Sequence, residues 1–244
     1  MTTRGLFVTG TDTGVGKTRV AVALIHALRA QGLRVVAMKP VSAGSEPGQL
    51  NDDVVALMRA ANVAADASDV NPYAFAEPIA PHIAAQRAGV AIDLAVIAAA
   101  YSRLAAMADV VVVEGAGGWR VPLNAREDMA DLAQRLGLPV VLVVGLRLGC
   151  LNHALLTAES ISNRNLPWAG WVGNHIDPSM AQQAANLDAL RLRLPEPCLG
   201  VQDFTPEPID PAVTSSTIPH GLQSAGDPYP LAAPWLNLPR ELVS

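Results

Sequence analysis

Val8-Thr9-Gly10-Thr11-Asp12-Thr13-Gly14-Val15-Gly16-Lys17-Thr18 decides how this chain is read. It stands between the apolar run Leu6-Phe7-Val8 and an Ala/Val/Leu-rich segment of helical period from Thr18 to Ala30, so a strand, a phosphate loop and a helix are predicted in succession. Gly10, Gly14 and Gly16 let backbone N–H groups turn towards an anion with no Cβ in the way. A helix beginning at Lys17 aims the positive end of its dipole at the same point. Lys17 is then placed to reach the β/γ-phosphates of a nucleotide, and Thr18 to offer its hydroxyl to Mg²⁺. Gly10 and Gly16 enclose five residues, one more than the usual Walker spacing, which makes this an extended variant of the loop. A tight strand-to-helix connection is the plainer alternative, and the flanking strand and helix weigh against it.

Outward from this loop, composition sets bounds. The 244 residues are enough for one large domain. Half are hydrophobic and 16% are charged, against roughly a quarter in an average domain, so much of the chain must be buried. No apolar run is long enough to span a bilayer and no cationic, cleavable leader opens the chain, so a soluble, cytoplasmic protein is expected. A net charge of −5 with scattered cations gives no general attraction to nucleic acid or to acidic membranes. Cys150 and Cys198 are too few for a disulfide framework or a zinc site.

Leu33 to Met38 reads as a second strand, ended by Lys39-Pro40 because proline cannot continue a central ladder. Lys39 thereby falls at a strand's carboxyl end, where ligands bind in open α/β sheets. A polar loop follows, and Asn51-Asp52-Asp53 opens a short helix to about Ala61; the two aspartates are capping charges on local evidence alone. Asn71 to Ile83 carries Pro72, Pro78 and Pro81 and is expected to hold no regular element. Ile92 to Met107 reads as a crossover helix. Asp109 to Val113 is a continuous apolar run, the mark of a strand buried on both faces, and it ends in Glu114-Gly115-Ala116-Gly117-Gly118. A carboxylate at such a strand tip, with glycines behind it, suits an acid aimed at a metal beside phosphates. Pro139 to Val144 repeats the strand pattern and leads through Arg147 into a helix whose start, near Gly149 and Asn152, is a second candidate anion site. Ala169 to Asn174 is a further strand, a helix is expected from Met180 to Arg193, and Leu199-Gly200-Val201 is a last short strand.

This alternation predicts an α/β fold: a doubly wound, mostly parallel sheet with P-loop NTPase-like topology. Residues 1–201 are expected to form one P-loop nucleotide-binding domain. Residues 202–244, rich in proline, are expected to form an irregular tail of the same domain.

The loop together with Lys39-Pro40-Val41, Asn71-Pro72-Tyr73, Pro81-His82, Val113-Glu114-Gly115-Ala116-Gly117-Gly118-Trp119, Leu148-Gly149-Cys150-Leu151-Asn152-His153-Ala154 and Ala169-Gly170-Trp171-Val172 resembles the dethiobiotin synthetase family. The likeness runs from about residue 5 to residue 200. It implies a homodimeric, Mg²⁺- and ATP-dependent ring closure of 7,8-diaminopelargonic acid with CO₂, through a carbamate and a carbamic-phosphoric anhydride. It also implies roles. Thr13, Gly14, Val15, Gly16, Lys17, Thr18 and Arg19 would hold ATP phosphates, with Lys17 and Lys39 catalytic. Thr18, Asp53 and Glu114 would surround Mg²⁺, with Gly115, Ala116 and Gly117 beside the nucleotide and Asn174 at the adenine edge. Ser42, and Gly149, Cys150, Leu151 and Asn152 across the dimer interface, would bind substrate. The family commonly has a hydroxyl at the position of Ala43, whereas here Ser42 precedes it. Pro234-Trp235-Leu236 would resume, after an insertion, a segment that lies near the adenine. Two alternatives are an amide-forming ligase of the cobyrinic acid diamide synthase type, for whose glutaminase domain the chain has no room, and a ParA/MinD-like switch. The switch carries a second lysine where this chain has Asp12.

Overall fold

Arg4–Gly10 (β1) buries Leu6 and Val8 with Val20, Leu24 and Leu28 of the helix Lys17–Ala30 (α1), whereas Phe7 joins the opposite cluster with Ile97, Leu104 and Leu132. Val35–Met38 (β2) divides likewise, Val35 and Ala37 to one side, Val36 and Met38 to the other. Successive side chains of a strand point to opposite faces, so apolar residues at every position require a covering layer on each. Each fully buried Val, Leu or Ile contributes about 1.5–3 kcal/mol.

The computed structural model describes residues 4–46, 48–204 and 235–238. After β2 the chain forms Val41–Ala43 (β3), Asp52–Ala60 (α2), Ala67–Val70 (α3), Tyr73–Phe75 (β4), Pro81–Arg87 (α4), Leu94–Met107 (α5) and Val110–Glu114 (β5). Met129–Leu136 (α6), Val140–Leu146 (β6), Cys150–Ser162 (α7), Trp168–His175 (β7), Gln183–Arg193 (α8) and Cys198–Gln202 (β8) complete it. Among the described residues the central sheet has the order β2-β5-β1-β6-β7-β8, with every pairing parallel. β1 lies in the middle, so its carboxyl end, the phosphate loop, has the ends of β5 and β6 on either side. The fold is the doubly wound α/β sheet of P-loop NTPases.

Two expectations change. The proline-bearing stretch from Asn71 to Ile83 is not wholly irregular: β4 pairs in parallel with β3, and α4 begins at Pro81. Proline at a helix's first position lacks only an N–H that has no helical partner anyway, and Pro72 and Pro78 flank the short strand without entering it. The helix expected from Met180 starts at Gln183, because Gln182 has φ 57, outside the helical region.

β8 reaches Gln202, and Trp235–Leu238 returns to it: Leu236 bridges Gly200 antiparallel, and Asn237 N donates to Leu199 O at 2.6 Å. Glycine is required there, since a Cβ on Gly200 would lie 2.0 Å from the Trp235 carbonyl oxygen. The remainder of the expected tail, Pro234 included, lies outside the described residues.

Candidate active site

The loop after β1 ends at Gly16, whose φ of 86 lies in the left-handed region, and no side chain caps α1. Its first-turn N–H groups are therefore aimed at the loop's concavity, the arrangement that binds anions. A Cβ on Gly16 would stand 2.1 Å from Asn174 Nδ2, so only glycine lets the end of β7 close against the loop. Lys17 is buried, and its Nζ donates to Asp12 O at 3.1 Å. Burial brings its pKa down from 10.5 to about 8, despite the attraction of Glu114.

Beside this loop the ends of β2, α2 and β5 converge. Lys39 Nζ donates to Asp53 Oδ2 at 2.8 Å and to Glu114 Oε1 at 2.5 Å, while Thr18 Oγ1 donates to Glu114 Oε1 at 2.9 Å. Asp53 is placed by the cap of α2: Asn51 Oδ1 accepts from Asp53 N at 3.0 Å, and Asn51 Nδ2 ties the cap to Ala43 O at 3.2 Å. Burial would depress the Lys39 ammonium, but Glu114 and Asp53 outweigh it and hold the pKa above its ordinary value. Burial works against ionised Asp53 too, yet Lys39 holds it below the usual carboxylate range. Glu114 goes the other way: complete burial raises it in spite of Lys39.

Glu114 Oε2 is buried with no hydrogen-bond partner, and unsatisfied buried acceptors are costly. With Asp53 and the Thr18 hydroxyl it supplies hard oxygen donors on one side of the phosphate loop, which suits Mg²⁺, an ion that usually keeps waters and nucleotide oxygens among its ligands. No group of three His, Cys, Asp or Glu among the described residues could hold a metal. A metal here would need the Thr18 hydroxyl and oxygens from a ligand beside these two carboxylates.

The other expected residues fall as follows. Thr13 and Gly14 are exposed on the loop, Val15 is buried beneath it, and Arg19 is half-buried in the first turn of α1. Gly115 N donates to Val8 O at 2.9 Å, so the turn through Ala116 and Gly117 runs alongside the loop; a Cβ on Gly118 would lie 3.6 Å from Gly10 O. Asn174 Nδ2 donates to Val15 O at 2.9 Å, which leaves Oδ1 an acceptor, buried and without a partner. Ser42 is not brought into the Lys39 cluster: its hydroxyl is 2% exposed as a residue and donates to Asn71 Oδ1 at 2.8 Å. Gly149, with φ 95, precedes α7, which again has no side-chain cap. Cys150 is buried, Leu151 half-buried and Asn152 exposed. Their link to the loop is Arg147, which pairs with Asp12 Oδ2 at 2.5 Å.

Sequence reasoning did not reach Gln202, nor the partner of Arg147, nor the contacts of Asn71. Gln202 pairs in register with Asn174 and leaves Oε1 buried without a partner; its signal was an amide at the end of a last strand. The Asp12–Arg147 pair joins residues 135 positions apart, with no local signal. Asn71, within the motif Asn71-Pro72-Tyr73, reaches the carbonyl of Lys39 and the hydroxyl of Ser42.

Residues 4–207 match the family model of an AAA domain. The chain is 57% identical over 201 residues to the ATP-dependent dethiobiotin synthetase BioD of Nitrosospira multiformis, covering 82% of this chain and 88% of that protein. The protein of the same name from Aromatoleum aromaticum is 54% identical over 201 residues, covering 81% and 89%. That of Xanthomonas euvesicatoria pv. vesicatoria is 49% identical over 220 residues, covering 89% and 96%. In three dimensions the chain is similar to the MinD cell division protein of Aquifex aeolicus, with TM-score 0.53 at 15% identity over 84% of each chain. It is also similar to MinD of Pyrococcus horikoshii complexed with Mg-ADP, with TM-score 0.50 at 18% identity over 82% and 80%. At such identities these two share the fold alone.

Proposed function

This chain belongs to the family of ATP-dependent dethiobiotin synthetases, ligases of biotin biosynthesis, and from that membership we propose how its residues divide the work. ATP is the co-substrate and dethiobiotin the product. One amine of 7,8-diaminopelargonic acid adds to CO₂ and releases a proton, giving a carbamate. A carbamate oxygen attacks the γ-phosphorus and ADP leaves. The second amine then attacks the carbonyl carbon of the mixed anhydride, expelling phosphate and losing a proton as the cyclic urea closes.

Lys17 and the N–H groups of the 13–19 segment hold the phosphates, and Lys39 lies beside carbamate and γ-phosphoryl, where its charge stabilises the group in transfer. Thr18, Asp53 and Glu114 hold Mg²⁺, which when bound supplies charge neutralisation for the phosphates. The fixed acceptor Oδ1 of Asn174 suits the exocyclic amine of adenine and repels the carbonyl of guanine. The substrate carboxylate is taken by the start of α7, from Gly149 to Asn152, of the other subunit in a homodimer. Ser42, with its hydroxyl turned inward, is left out of this scheme.

The convergence of Lys39, Asp53, Glu114 and Thr18 on one side of the phosphate loop carries the reading. It is tested by ADP release from the protein given ATP, Mg²⁺ and bicarbonate, with and without the diamine. Release that needs the diamine and is matched by cyclic urea is expected, with Lys39→Ala slowing it by about two to three orders of magnitude while ATP still binds. Wild-type turnover in Lys39→Ala would remove Lys39 from the mechanism.

A further inference from the structure

Lys39 stands where the chain leaves the central sheet. β2 ends at Met38, opposite Val113, and Pro40 has no N–H to continue the ladder. The backbone of Lys39 must therefore be held by something other than β5, and residues 70 and 71 hold it. Lys39 N donates to Val70 O at 2.8 Å, and Lys39 O accepts from Asn71 Nδ2 at 2.6 Å. The orientation of the Asn71 amide is fixed by its partners. Nδ2 donates to the carbonyls of Lys39 and, at 3.2 Å, Tyr73, which only an NH₂ group can do. Oδ1 therefore faces Ser42, whose hydroxyl must be the donor. Asn71 is 6% exposed and Ser42 2%, so neither bond competes freely with water.

We propose that Asn71, locked by Ser42, is the positioning residue for Lys39, setting where its ammonium stands against the transferring phosphoryl group. The inference rests on the role given to Lys39 above. A long side chain magnifies any tilt at its root, and misplacement by about 1 Å at a reacting centre costs on the order of a hundredfold in rate. Asn71 touches no substrate in this scheme; it acts through Lys39.

The test is a double-mutant cycle on turnover. Asn71→Ala is expected to lower kcat about 10- to 100-fold while the Kd for ATP stays within about twofold, since the phosphate loop does not involve it. In a Lys39→Ala background the same substitution is expected to change the single-turnover rate by less than about twofold, although any loss of melting temperature persists. A structural role alone would lower the rate by the same factor in both backgrounds, and that result, or an unchanged kcat in Asn71→Ala, overturns the inference. If Asn71→Ala does not fold, Ser42→Ala replaces it in the same cycle, because it keeps the Lys39 contact and frees the amide to swing; full kcat there overturns the inference equally. If Lys39→Ala itself turns over like the wild type, it is the parent reading that fails.

Discussion

At the residue scale, Lys17 shows how burial prepares an ammonium for a ligand. Its folded pKa of about 8 lies below the 10.5 of the unfolded chain. The unfolded state therefore binds more protons between these values, stability rises with pH across that window, and below about 8 the buried charge opposes folding. Phosphates opposite Nζ would oppose this effect of burial by attracting the ammonium. Nucleotide binding near pH 8 should accordingly take up about half a proton, read by calorimetry in two buffers of different ionisation enthalpy. Lys17→Met should abolish the uptake and stabilise the free protein by about 1–3 kcal/mol. An uptake that persists in Lys17→Met would assign the proton elsewhere. Lys17, Lys39 and Glu114 were legible in the sequence because each stands beside a backbone event that sequence marks: a glycine turn, a proline, an apolar run that stops. Asn71 was not, because its role is a matter of which carbonyls its amide reaches. Gln202 stands level with Asn174 only through the register of β8 on β7, which no local pattern carries.

At the scale of elements, α2 brings Asp53 up to Lys39, and the helix start is fixed by its N-cap residue. Asn51 both caps the N–H of Asp53 and ties the helix start to Ala43 O, so one side chain serves stability and placement together. Asp52 and Asp53, read as capping charges, both stand in the first turn of α2, and Asn51 is the cap whose side chain closes it. Asn51→Ala should cost about 1 kcal/mol, seen as a fall of about 2–4 °C in melting temperature. It should also raise the Mg²⁺ concentration for half-maximal ADP release severalfold. A stability loss with an unmoved Mg²⁺ titration would separate Asp53 from the metal. The small β3–β4 sheet was hidden by its prolines: three-residue strands are too short for a period to declare itself, and a parallel pair needs a distant partner that local reading does not supply.

At the scale of the molecule, the parallel order of the central sheet was readable from the buried runs Val110–Val113 and Val140–Val144, since strands covered on both faces leave little choice of architecture. The return of Trp235–Leu238 to β8 was not, because its pairing depends on Gly200 offering a Cβ-free gap to a backbone more than thirty positions further on.

β8 is the last strand of its sheet, and Leu236 and Asn237 take up backbone groups that would otherwise form an open rim. Such a rim is a template for pairing with another chain. The short segment around Trp235 thus covers part of that rim. A chain ended at Phe204 should scatter light progressively at concentrations where the natural chain stays clear, and a clear solution of the shortened chain would show that the rim needs no cover.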